Sequence, residues 1–287
     1  MNQDQRSAKA LVLGGGGPVG ASWESALLHR LGTAGFTVSE NDVVLGTSAG
    51  SVAGAWLIMS PDELIALPER MRARAKWHAE QSAHRGTGSA SMLSLMAEKR
   101  TDDVDSARSV GQAALKAIPP IPAEKAAELW RAATPKGLWP PNLRIAAVDA
   151  GTGLAHAWSV GDDIPLPVAI AASTAAPGAA PPVEVAGAVW VDGGVRSGTN
   201  ADLVLEAAGR TSGGKVLIVA CSPSDDIARE ESLLTEQGYD VRVLLSEAYY
   251  RKPTDLLDAR FIDAAVEAGA RQARDAAVDL VKWWTED

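Results

Sequence analysis

The residues Ala10-Leu11-Val12-Leu13 run directly into four glycines, and after a helix-compatible stretch over 21–35 a second apolar run follows, Val43-Val44-Leu45. Strand, glycine loop, helix, strand is a βαβ unit, which commits a chain to parallel strands covered by helices. The second run passes through Gly46-Thr47-Ser48-Ala49-Gly50 into 51–59, which reads as a buried helix stopped by Ser60-Pro61. A strand therefore delivers Ser48 to the start of a helix.

Further strand-like patterns stand at 143–148, 188–191, 215–221 and 241–245, with helical stretches between some of them. Apolar residues at three- and four-residue steps from Ile262 to Trp284 mark a long amphipathic helix over about 261–284. The fold class that follows is α/β and layered. Between about 62 and 141 no strand pattern is visible, and helical segments are expected at 62–80, 91–98 and 123–131. Arg70, Arg72, Arg74, Lys76 and Arg85 lie there with Glu69 and Glu80; they read as the solvated face of an amphipathic helix, or else as a membrane-surface patch. The stretch 164–183 carries no charge, but Pro165, Pro167, Pro177, Pro181 and Pro182 break it, so buried irregular structure is expected rather than a membrane span.

A hydrophobic fraction of 46% over 287 residues supports a substantial core, and one domain over 1–287 is expected. The net charge of −9 offers no positive field for a polyanion, which argues against nucleic acid as a partner. A single cysteine, Cys221, excludes a disulfide framework and a cysteine metal site within one chain; it reads as a small buried strand residue. No cluster of carboxylates and histidines has metal-ligand spacing. The N-terminal stretch is too short and broken for a secretory signal, so a cytoplasmic protein, at most peripheral to a membrane, is expected.

Gly46-Thr47-Ser48-Ala49-Gly50 fits G-x-S-x-G, the sharp strand-to-helix elbow that lifts a serine hydroxyl over a sheet edge. The helix behind it aims free N–H groups and its positive dipole end at any nearby oxyanion. Gly15, Gly17 and Gly20 also fit G-x-G-x-x-G, and two functions compete for that loop. One is dinucleotide binding, which wants an acid at the end of the second strand; Glu40 and Asp42 instead precede that strand. The other is an oxyanion hole of backbone N–H groups beside a nucleophile. Of His29, His78, His84 and His156, none sits late in the chain at a strand end, so a Ser-His-Asp triad is not supported. Asp192-Gly193-Gly194 stands at a strand end instead; alone, it would pass for a surface turn.

GGGGPVG at 14–20, GTSAG at 46–50, ASTAAPGAAPPV at 172–183 and DGG at 192–194 together resemble, in order and spacing, the blocks of the patatin-like phospholipases, over roughly residues 9 to 245. The resemblance implies a three-layer α/β/α fold with a central, mostly parallel sheet, the 62–141 segment being a helical insertion that either caps the acyl pocket or packs as plain core. It implies a Ser–Asp dyad with Ser48 as nucleophile and Asp192 as base, an oxyanion hole at Gly15, Gly16 and Gly17, an elbow at Gly46 and Gly50, and no cofactor. The implied activity is lipid acyl hydrolysis of the phospholipase A, lysophospholipase or carboxylesterase kind. A lipid or fatty-acyl ester would be the partner, with transient contact to a membrane surface. The opposing reading is a non-catalytic or nucleotide-binding α/β protein. One departure is Val19, where bacterial relatives usually carry Arg or Lys.

Overall fold

The computed structural model describes residues 8–85, 103–207, 213–248 and 250–286. The opening unit is β1 (Ala8–Leu13), α1 (Gly17–Thr33), β2 (Val43–Thr47) and α2 (Ala49–Met59). A 3-10 turn at Pro61–Ala66 leads to α3 (Leu67–Arg85), α4 (Val104–Ala117), β3 (Ile121–Pro122) and α5 (Ala123–Trp130). Then come β4 (Leu143–Asp149), β5 (Ala155–Trp158), α6 (Leu166–Ser173), β6 (Val183–Val185) and β7 (Ala188–Asp192). The chain ends with α7 (Val204–Ala207), β8 (Gly214–Ala220), α8 (Asp225–Glu236), β9 (Tyr239–Leu245) and α9 (Ile262–Thr285).

The strands form one sheet in the order β3-β6-β7-β4-β2-β1-β8-β9, with β5 paired to β4 beside that path. From β4 to β9 the neighbours are parallel, whereas β5 and β7 run antiparallel to β4. Strand alternation sorts the core into layers. Leu11, Leu13, Leu217 and Val219 face a large cluster with α1, α2, α6 and α9, while Ala10, Val12, Val216 and Ile218 face a smaller one with Leu203, Val204 and Leu234. Helices thus cover both faces of a mostly parallel sheet, the three-layer α/β/α arrangement expected.

α1 is held under α9. The indole N–H of Trp23 donates to Gln272 at 2.8 Å, and a Cβ on Gly269 would lie 2.4 Å from the Trp23 carbonyl oxygen, so only glycine lets the helices meet there. Trp23 and Trp284 are buried to 0% and 1% exposure, each contributing about 4–6 kcal/mol of transfer free energy.

Three expectations are corrected. The 164–183 stretch is not all irregular: α6 starts behind Pro165 and places Pro167 in its first turn, where a missing N–H costs nothing. The 62–141 region holds one strand, β3, which pairs with β6; two residues at a sheet edge, one a proline, leave no periodic signal. It also holds α4, which packs on Val148, Val191 and Val195. Cys221 lies just past β8 rather than in it. The helix expected at 91–98 lies outside the described residues. Among those described, no helix is long and apolar enough to cross a membrane.

Candidate active site

Ser48 turns the chain from β2 into α2 at φ 52°, ψ −111°, a left-handed conformation that a non-glycine residue adopts only when its surroundings enforce it. The enforcement is steric. A Cβ on Gly46 would stand 2.4 Å from the Gly50 carbonyl oxygen, and one on Gly50 would stand 2.1 Å from that of Leu13. The Gly50 N–H donates to the Gly14 carbonyl at 2.9 Å, tying the elbow to the glycine loop on the neighbouring strand.

Asp192 reaches Ser48 through β4. Ala146 of β4 is in register with Thr47, and the next residue, Ala147, is in register with Asp192, so one strand carries the ends of β2 and β7 side by side. The Ser48 hydroxyl donates to Asp192 Oδ2 at 2.8 Å, and Oδ1 accepts the Gly194 N–H at 2.7 Å. Asp192 is 1% exposed. The end of α6 braces both partners: Ser173 Oγ accepts the Ser48 N–H at 2.8 Å, and the Ala175 carbonyl accepts the Asp192 N–H at 3.1 Å. Asn200 clamps the loop after Asp192 by donating to Ser197 O (2.8 Å), Gly193 O (3.1 Å) and Thr47 Oγ1 (3.2 Å). His156 lies on β5, with Nε2 2.8 Å from Asp162.

The three loop glycines divide. The Gly15 N–H donates to the Gly198 carbonyl at 2.7 Å, whereas the N–H groups of Gly16 and Gly17 have no acceptor among the described residues. Neither tolerates a side chain: a Cβ on Gly16 would meet Cys221 Sγ at 2.7 Å, and Gly17, at φ 59°, would meet the Leu256 carbonyl at 2.7 Å. Gly17 opens α1 and Ala49 opens α2, neither with an acid in its first turn, so two positive helix ends converge at this edge.

These elements border a cavity of about 600 Å³. Gly15 to Pro18, Ser48, Asp192 and Cys221 lie on one side. The same lining includes Met71, Arg74 and His78, three to four residues apart on one face of α3, with Trp130 of α5. Part of the 62–141 segment therefore walls the cavity. The expected solvated basic face forms only in part: Lys76 is exposed beside Glu80, whereas Arg74 turns inward. Arg74 is 8% exposed, its guanidinium stacked on Trp77 and Trp130 at 4.5 and 4.2 Å, and burial pulls its pKa down to about 10, leaving it charged at neutral pH. Arg70 stacks on Trp56 at 4.4 Å, and Arg72 pairs with Glu69 and Asp263.

Sequence reasoning overlooked Ser173, Asn200 and Glu24. Glu24, on α1, is fully buried; the nearest donor among the described residues is the Gly14 N–H, which is already given to the Val219 carbonyl, and burial pushes its pKa well above the carboxylate range despite it. Burial, with Glu24 nearby, also pushes the Cys221 thiol up.

The fold is that of an α/β protein with a serine elbow beside a buried carboxylate. The model of the patatin-like phospholipase family matches residues 11–205, and the chain belongs to that family. Its members are lipid acyl hydrolases acting on carboxylic esters. No curated protein sequence matches the chain. Among solved structures, the crystal structure of VipD from Legionella pneumophila is similar at 14% identity and a TM-score of 0.45, covering 96% of this chain and 67% of that one.

Proposed function

We propose that the protein cleaves lipid or fatty-acyl esters through a Ser48–Asp192 dyad, as a phospholipase A, lysophospholipase or carboxylesterase, without a cofactor. The observation that carries this is the 2.8 Å hydrogen bond from Ser48 Oγ to Asp192 inside the cavity. Asp192 accepts the hydroxyl proton as Ser48 attacks the ester carbonyl. The N–H groups of Gly16 and Gly17 receive the tetrahedral oxyanion, and each such donor is worth about 10²–10³ in kcat. Collapse expels the alcohol, which takes the proton from Asp192, and an acyl group stays on Ser48. Water then attacks the acyl carbon as it passes a proton to Asp192; the acyl–Oγ bond breaks, Ser48 takes that proton back, and the acid is released.

A carboxylate is a weak base for a serine hydroxyl, so the rate depends on fixed geometry. β4 register and the α6 end hold the backbone of both residues, so their side chains start from fixed positions. The residues 1–287 act as one unit, with α3 and α5 as the wall against the acyl chain and transient contact with a lipid surface, in the cytoplasm. The nucleotide-binding alternative lacks its acid: β2 ends at Thr47 and Ser48 follows it, and Asp42, before the strand, accepts the Ser39 N–H at 2.7 Å.

Labelling with a fluorophosphonate probe tests the reading. Wild type is expected to label and Ser48→Ala not to; equal labelling of both would remove Ser48 from the chemistry.

A further inference from the structure

We propose that Arg74 is the specificity-determining cation of this cavity, binding an oxyanion, phosphate or carboxylate, carried by the ester substrate. The inference rests on the hydrolase reading only for the word substrate; the binding stands on the wall itself.

Arg74 is 92% buried in the cavity wall and no carboxylate pairs with it among the described residues. Among the described residues its hydrogen bond is from Nη1 to the Leu129 carbonyl at 3.5 Å, at the limit of such a contact, and its buried Nε has no partner there. Two other partly buried arginines on the far side of the sheet have acids: Arg196 pairs with Asp202, and Arg229 with Glu230 at 3.5 Å and Asp226 at 3.8 Å, while the half-buried Arg144 is held by the Pro141 and Leu143 carbonyls. Burying an uncompensated charge is costly, and stacking on two tryptophans offsets part of that cost.

Stacking engages the π faces of a guanidinium and leaves its in-plane N–H donors, a fork that matches phosphate or carboxylate oxygens. The carboxylates bordering the same cavity are otherwise placed. Asp192 accepts from Ser48 and Gly194, Asp226 pairs with Arg229, and Asp225 is exposed. Arg251 and Lys252 at the exposed rim add positive charge, and His78 lies one turn along from Arg74. The wall is therefore built to receive a negative group in the company of Met71 and Trp130, as an amphiphile with an anionic end would present it.

The test measures binding by calorimetry to Ser48→Ala protein, so that turnover does not intervene. The probes share one chain and differ at one end: dodecyl phosphate and dodecanoate below their micellar concentrations, and dodecanol below its solubility limit. At least one anionic probe is expected to bind 10-fold or more tighter than dodecanol, and which one tells phosphate from carboxylate recognition. Adding Arg74→Met should remove that preference while dodecanol affinity stays within about 3-fold, and Arg74→Lys should restore part of it. Equal affinity for all three probes, or an equal loss of all three in Arg74→Met, overturns the proposal. If Arg74→Met does not fold, the parent's preference and its loss or retention in Arg74→Lys decide. Failure of Ser48 labelling would sink the hydrolase reading while leaving this binding result standing.

Discussion

Around Ser48 the backbone carries the site and side chains have assigned partners: Ser173, Asp192 and Asn200 each hold a named group, and Gly46 and Gly50 admit no Cβ. Elsewhere the cavity is lined by side chains on α3 and α5, and Arg74 among them has no acid partner among the described residues. One wall is fixed by covalent geometry and register, the other by packing. The first suits chemistry, which tolerates errors of a fraction of an ångström; the second suits selection of a ligand, which can change by substitution without disturbing the reacting atoms.

Substitutions in the two walls should therefore differ in kind. Gly50→Ala forces a methyl into the Leu13 carbonyl and should destabilise by about 4 kcal/mol or prevent folding, read by urea unfolding. A loss under 1 kcal/mol would show that the elbow yields. Asn200→Ala removes three donor contacts from a residue at φ 52° and should cost about 2–3 kcal/mol, with ester turnover falling more than unfolding explains. Unchanged turnover per folded molecule would detach the 193–200 loop from the site.

Glu24 lies behind the glycine loop, and its effect is a function of pH. An acid whose pKa is raised on folding stabilises fully below its unfolded value and loses that contribution as pH rises toward the folded value. Glu24→Gln should therefore melt above wild type by a few °C near pH 8, with the gap closing toward pH 4. A gap independent of pH would mean that Glu24 is not held protonated. In the packed wall, Met71→Leu should cost less than about 1.5 kcal/mol while shifting the preferred acyl length. An unchanged length profile would take α3 out of substrate contact.

The rigid wall was the more legible one. G-x-S-x-G and the strand before it announce Ser48 locally, because the constraint is local. Asp192 could be brought to it only by resemblance, since its approach depends on the register of β4, which no spacing in the sequence reveals. Gly15 could not be told from Gly16 and Gly17, because what occupies its N–H is the carbonyl of Gly198, far along the chain. The packed wall was misread for the same reason: Arg74 looks solvated until α5 brings Trp130 over it. Pro167 looked like a helix breaker because proline's effect depends on whether it falls in a first turn.

The central claim is that Ser48 carries the acyl group. Mass spectrometry of protein quenched during turnover of a slowly deacylated ester tests it most directly. The account predicts an acyl adduct on the peptide containing Ser48, absent in Ser48→Ala and in Asp192→Asn. Turnover without an adduct, or an adduct on Ser51, Ser222 or Cys221, would contradict it.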